Sequence, residues 1–210
     1  MIDKGSLIVV SGPSGSGKGT ILGEFNKKYR DDKVIYSVSA TTLSPRDGEI
    51  EGENYYFITK DEFEKRINED GFLEYASYCD NYYGTPKKTV MDALNSGIDV
   101  ILEIETVGAM KVKSNYPEAV MVFILPPSVE ELKNRLIGRA TETLEVIESR
   151  LHAARRELNL AAQYDYVIVN DSYEELPTDA TSTAGQHITT FVMEIVKMLI
   201  SYIKLLFSLF

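Results

Sequence analysis

Nearly uninterrupted apolar runs alternate along the chain with longer stretches in which apolar residues step by three and four. The runs are residues 7–10, 34–38, 100–104, 120–125 and 167–169, all rich in β-branched side chains. Runs this continuous predict strands covered on both faces, as in a parallel sheet. Helical patterns lie between several of them. Residues 86–96 carry Pro86 in the first turn and are followed by Gly97, the usual start and stop residues of a helix. Ser128-Val-Glu-Glu131 is a capping box opening a helix over 129–137. Leu144, Ile147, Leu151, Ala154, Leu158 and Ala161 line one face of a longer helix. This alternation predicts a wound α/β sheet.

Residues 37–81 follow a different pattern. They hold tyrosine-rich short strands at 55–57 and 72–78, with turns at Asp47-Gly48 and Glu51-Gly52. One helix is capped by Thr59-Lys-Asp-Glu62, with Gly71 as its stop. The segment reads as a small inserted lobe.

Between the first strand and the first helix stands SGPSGSGKGT, residues 11–20. A glycine-rich turn at this place lets successive backbone N–H groups converge on one anion, and the helix N-terminus adds partial positive charge. Lys18 supplies a mobile full charge for β- and γ-phosphates. These are the parts of a P-loop, with Gly12, Pro13, Ser14, Gly15, Ser16, Gly17, Lys18, Gly19 and Thr20 against the nucleotide. The motif ends Gly17-Lys18-Gly19-Thr20, which moves the hydroxyl one place beyond the general Gly-Lys-Ser/Thr form. That variant resembles nucleoside monophosphate kinases. The Asn-Lys-x-Asp base reader of a GTPase is missing: Asn26-Lys27-Lys28-Tyr29 lacks the aspartate.

Composition narrows the classes further. Apolar residues make up 44% of the 210 positions, enough for a packed core. The net charge of −10 argues against a nucleic-acid groove, which needs a basic stripe. Cys79 is the single cysteine, so no internal disulfide can form, and no basic-then-apolar leader follows Met1. A cytoplasmic protein is expected.

A kinase needs an acceptor site as well. Ser39-Ala-Thr-Thr-Leu-Ser-Pro-Arg-Asp-Gly-Glu49, Gly52-Glu-Asn-Tyr55, Phe72-Leu-Glu74, Asn81-Tyr-Tyr-Gly-Thr-Pro86, Leu102-Glu-Ile-Glu105 and Ile124-Leu-Pro-Pro-Ser128 resemble guanylate kinase in order and spacing, as do Arg135-Leu-Ile-Gly-Arg-Ala-Thr-Glu142, Ser149-Arg-Leu-His-Ala-Ala154 and Val167-Ile-Val-Asn-Asp171. The resemblance implies a three-layer P-loop kinase fold within 1–176. A parallel-sheet core would occupy 1–36, 97–134 and 150–176, with a mixed-β GMP-binding lobe at 37–96 and a helical lid at 135–149. It implies transfer of the γ-phosphoryl group of ATP to GMP or dGMP, with Mg²⁺ held through Thr20. Glu74 and Glu105 fall at the base-reading acids, with Ser39 and Thr85 nearby. Arg46, Tyr55 and Tyr83 would hold the acceptor phosphate. Arg139 and Arg150 would join Lys18 and Arg46 in catalysis, Arg135 and Asn170 would line the ATP site, and Glu103 would stand behind the metal. The chemistry agrees: guanine offers an N1–H and an exocyclic amine, and an ionised carboxylate only accepts. Glu103 and Glu105 flank Ile104 at the end of a buried run, where an unpaired carboxylate is costly.

Four positions depart from the family pattern. Leu43 replaces an arginine, Glu105 an aspartate, Val107 a glutamine and Ala140 a glycine. Together they keep open an alternative, a catalytically weakened guanylate-kinase-like module that binds a protein partner. Beyond 176 a linker-like stretch leads into the apolar segment 187–210, where Glu194, Lys197, Ser201, Lys204 and Ser208 form one polar stripe. The stripe favours an amphipathic helix packed on the domain or on a second copy over one lying on a membrane surface. A spanning anchor is least favoured, because three charges would enter the bilayer.

The missing arginine generates a prediction. A charge-assisted hydrogen bond contributes about 1.5–3 kcal/mol. Leu43→Arg should therefore raise kcat/KM for GMP, mainly through KM, in a coupled assay of ADP release. A flat or lowered value would mean that position 43 does not face the acceptor phosphate.

Overall fold

The computed structural model describes residues 4–28, 33–78, 80–138 and 144–171. In chain order its elements are β1 (Leu7–Ser11), α1 (Lys18–Lys28), β2 (Val34–Tyr36), β3 (Ala40–Thr41), β4 (Tyr56–Phe57), α2 (Lys60–Asn68), β5 (Phe72–Tyr78), β6 (Asn81–Pro86), α3 (Lys87–Asn95), β7 (Asp99–Glu103), α4 (Thr106–Asn115), β8 (Val120–Leu125), α5 (Val129–Ile137), α6 (Leu144–Leu158), a 3-10 turn (Ala161–Gln163) and β9 (Tyr166–Val169).

The apolar runs form one sheet, in the order β2-β7-β1-β8-β9. The ladders β2·β7, β7·β1 and β1·β8 are parallel. Its central strands are covered on both faces: Val9, Val100 and Phe123 are wholly buried. The edges are not. Only Ile168 of β9 is buried, while Val167 and Val169 are exposed, and β2 is half-buried throughout. The expectation of full cover thus holds for the central strands and fails at the edges. An edge strand has a neighbour on one side only, and an apolar run does not say whether it is central.

The inserted residues build a second sheet, β4-β3-β6-β5, in which β3 pairs parallel with β4 and antiparallel with β6. β5 and β6 are antiparallel, and their register slips by one between Phe72↔Pro86 and Tyr75↔Gly84. Leu73 and Glu74 therefore face Thr85 across a β-bulge, two residues against one. The bulge breaks the alternation of sides, so Phe72, Leu73 and Glu74 are all buried in succession. Phe63 of α2 stacks between Phe72 and Tyr82, at centroid distances of 4.3 and 5.1 Å. Ala40 completes this core.

Helix ends follow their caps, with corrections. Thr59 and Ser128 accept from the N–H of Glu62 and Glu131 at 3.2 and 3.0 Å, as the capping boxes predict. Pro86 is the N-cap of α3, one place before the first turn. α2 stops at Asp70, not Gly71: Asp70 has φ 53°, its N–H bonds the Ile67 carbonyl, and the Gly71 N–H bonds the Arg66 carbonyl. Aspartate tolerates the left-handed region better than most residues. α6 ends at Leu158, so Ala161 lies in the 3-10 turn. No apolar stripe announced α4, because it is buried through Thr106, Gly108, Ala109 and Val112 while Val107 is exposed.

The chain divides into two compact units. The first takes β1 and residues 31–123 and 160–166, with the second sheet and α2 to α4. The second takes the glycine loop, α1, α5, α6 and residues 167–171. Leu132, Leu136, Ile147 and Ala154 form a core between α5 and α6. The expected lid break at 140–143 and the segment 177–210 lie outside the described residues.

Removing the α2 cap tests the local account. Thr59→Ala should lower unfolding free energy by about 1 kcal/mol in urea titration. An unchanged midpoint would show that α2 does not depend on this bond.

Candidate functional site

The glycine loop belongs to the second unit. Gly12, Gly15 and Gly17 adopt φ of 151°, 90° and 87°, which side chains rarely allow. Packing adds a second reason. A Cβ at Gly12 would overlap the Ile124 carbonyl, and one at Gly17 would overlap the Asn170 side-chain amide. Asn170 Nδ2 donates to the Ser16 carbonyl at 2.8 Å, and Arg135 donates to the Asn170 carbonyl at 3.2 Å and to Glu131 at 2.7 Å. Arg135 and Asn170, placed against the nucleotide by resemblance, thus brace the loop from behind. Lys18 Nζ donates to the carbonyls of Gly12 and Pro13, at 2.6 and 3.1 Å. These two carbonyls draw the lysine back onto the loop.

The rest of the loop suits an anion. Ser14, Gly19 and Thr20 are exposed, and Ser16 is fully buried with its Oγ lacking a hydrogen-bond partner. The first turn of α1 contains no acid of its own to offset its positive end. Arg150 lies half-buried on α6. Arg139 lies outside the described residues.

The acceptor candidates fall in the first unit. Tyr55 and Tyr83 meet edge to face, with centroids 6.1 Å apart. Arg46 is exposed, and its backbone N–H donates to Glu49 at 2.9 Å. Burial pushes the Tyr55 hydroxyl pKa up, helped by the carboxylates of Glu49 and Glu103, with Arg46 opposing. Tyr36 on β2 is also raised, by burial and by Glu103. Tyr36 carries no signal in the sequence, and Glu49 stands there only as the end of a motif, with no role of its own. Glu49 at least closes the Arg46-Asp-Gly turn, a visible cue.

Glu74 is 8% exposed. The bulge turns its carboxylate toward the partner strand, and Oε1 accepts from Thr85 Oγ1 at 2.8 Å. Burial raises its pKa; the Thr85 hydrogen bond and the charge of Lys111 offset part of that rise. Ser39 is half-buried just before β3, and its carbonyl accepts from the Tyr56 N–H. Glu103 and Glu105 are exposed: β7 buries residues 99–102 and emerges at its carboxyl end. The cost of burial invoked for this pair in the sequence therefore does not apply. Glu105 is the N-cap of α4, without a side-chain capping bond. Leu43 is half-buried, its N–H bonded to Thr41 Oγ1 at 3.1 Å.

Comparison with known proteins gives one family. The guanylate kinase family model matches residues 4–183. The guanylate kinase of Clostridium acetobutylicum is 53% identical over 182 residues, covering 87% of this chain and 86% of that protein. That of Clostridioides difficile is 51% identical over 184 residues, covering 88% and 87%. The crystal structure of guanylate kinase from Anaplasma phagocytophilum matches with a TM-score of 0.66 at 30% identity, covering 90% of this chain and 85% of that one.

The raised pKa of Glu74 predicts a pH dependence. Between the ordinary carboxylate value and the raised one, the folded state binds more protons than the unfolded state, so stability falls as pH rises through that window. Glu74→Gln should remove this fall and be the more stable form at neutral pH. Urea titrations across a pH series would read it, and parallel curves for the two proteins would refute it.

Proposed function

The chain belongs to the guanylate kinase family, an ATP:GMP phosphotransferase, and from that premise we propose how its residues divide the transfer. An oxygen of the GMP phosphate attacks the γ-phosphorus of ATP, the bond to the β–γ bridging oxygen breaks, and ADP and GDP leave. The acceptor is already anionic, so no general base is needed. Catalysis then rests on positioning and on neutralising charge.

On the donor side, the N–H groups of residues 12–20 and the Lys18 ammonium hold the ATP phosphates, and the two carbonyls that now retain Lys18 are weaker partners than phosphate oxygens. Mg²⁺, when bound, supplies charge neutralisation across the β- and γ-phosphates. Among the described residues no group of three or more His, Cys, Asp or Glu could hold a metal alone. Thr20, with waters and the nucleotide, would hold the ion, and Glu103 is assigned to it by resemblance alone. Arg139, on the lid assigned to 135–149, and Arg150, which follows it on α6, answer charge on the transferred group.

On the acceptor side, Arg46, Tyr55 and Tyr83 donate to the GMP phosphate. The raised pKa of Tyr55 keeps its proton in place for that role. Glu74, with Thr85, Ser39 and Glu105, reads guanine. The observation that carries the reading is the Glu74–Thr85 pair: a buried carboxylate that can only accept, held by a hydroxyl and turned by a bulge. Adenine has no N1–H to offer it. No observation favours the non-catalytic alternative. Among the described residues no helix is long and apolar enough to cross a membrane, and the single cysteine suits a reducing cytoplasm.

ADP release should be saturable with GMP and dGMP and weak with AMP and UMP. Lys18→Ala should abolish it while leaving the circular dichroism spectrum unchanged. Turnover retained in that variant would remove the glycine loop from the mechanism.

A further inference from the structure

Gly108 sits inside α4, and its backbone is ordinary helix: it is not among the glycines with positive φ. Glycine is disfavoured within a helix, and no turn requires it here. Its neighbour does. A Cβ at this position would stand 2.5 Å from Glu74 Oε2, 3.0 Å from Cδ and 3.5 Å from Cγ. These three nearest atoms all belong to that one carboxylate side chain. The other oxygen, Oε1, accepts from Thr85 at 2.8 Å. One oxygen is thus tied by a hydrogen bond, and the second rests against a bare Cα. One turn further along α4, Lys111 donates to the Tyr75 carbonyl at 2.8 Å and stands 5.2 Å over the Tyr75 ring. It ties the helix to the strand that carries Glu74.

We propose that Gly108 is a specificity-determining residue for the purine base: its missing side chain is the seat that holds the Glu74 carboxylate in its guanine-reading position. It is a positioning residue and acts through Glu74. The inference rests on the assignment of Glu74 as the base reader. An added methyl meets the far end of a flexible side chain, so the carboxylate yields and the backbone stays. Specificity is lost before stability.

The experiment compares wild type, Gly108→Ala, Glu74→Gln, Glu74→Asp and the double variant Glu74→Asp/Gly108→Ala. It measures kcat and KM for GMP and for inosine monophosphate, which keeps the N1–H and lacks the exocyclic amine, together with KM for ATP and Tm. Gly108→Ala should raise KM for GMP and lower the GMP-to-inosine preference about ten- to a hundredfold, the range of one hydrogen bond to a charged group. KM for ATP and Tm should not move, which separates the effect from general damage. Aspartate is one methylene shorter and clears the added methyl, so the two losses should combine to less than their sum. An unchanged preference in Gly108→Ala, beside a collapsed one in Glu74→Gln, overturns the inference and leaves the base reader standing. An unchanged preference in Glu74→Gln removes both. If Gly108→Ala does not fold, folding regained in the double variant places the clash at Glu74 and supports the inference, and folding still lost overturns it.

Discussion

A loop that must offer backbone N–H groups to phosphate, turn repeatedly through left-handed backbone and lie against a neighbouring carbonyl can be built only with glycine. Gly12 and Gly17 satisfy both demands at once. Of the other side chains of the loop, Ser14 and Thr20 are exposed and Ser16 is buried. The strand before it and the helix after it follow from this constraint. A buried strand holds the entry still, and an acid-free first turn keeps the exit positive. Asn170, just after β9, completes the support through the Ser16 carbonyl, and Arg135 on α5 in turn donates to the Asn170 carbonyl.

The acceptor region works by a different principle. In the proposed base-reading site the sheet would supply a carboxylate in place of N–H groups, and a carboxylate sheltered from water discriminates more strongly. Shelter raises the pKa of Glu74, and the hydroxyl of Thr85 and the charge of Lys111 offset part of that rise. A regular antiparallel pair would have sent Leu73 and Glu74 to opposite sides. The bulge buries both, keeping Leu73 in the core without exposing the acid. The position of Glu74 is therefore set partly by the register of two strands and partly by a glycine on α4, which packs against β5.

Charge organises the tyrosines too. Tyr36 and Tyr55 both have raised pKa values from burial and from nearby acids, Glu103 among them. Both remain protonated at neutral pH and can donate hydrogen bonds. Glu103 and Glu105 project from the carboxyl end of β7 and the start of α4. In open α/β sheets that end of the strands is where ligands bind.

What the amino-acid sequence determined alone is local: continuous apolar runs for the central strands, the caps at Thr59 and Ser128, and the glycine spacing with its lysine. Each depends on residues within one turn or one strand of each other. The motif series also carried the family, because order and spacing survive in a linear reading. What only the tertiary structure decided involves partners distant in the chain. The exposure of Val167 and Val169 depends on β9 lying at a sheet edge. The burial of Glu74 depends on a register slip against β6, and the exposure of Glu103 and Glu105 on where β7 leaves its neighbours. The left-handed stop fell on Asp70 instead of the adjacent glycine, and the bracing role of Asn170 joins residues far apart in sequence. Burial and register belong to pairs of segments, and a single segment carries only its own half of each pair.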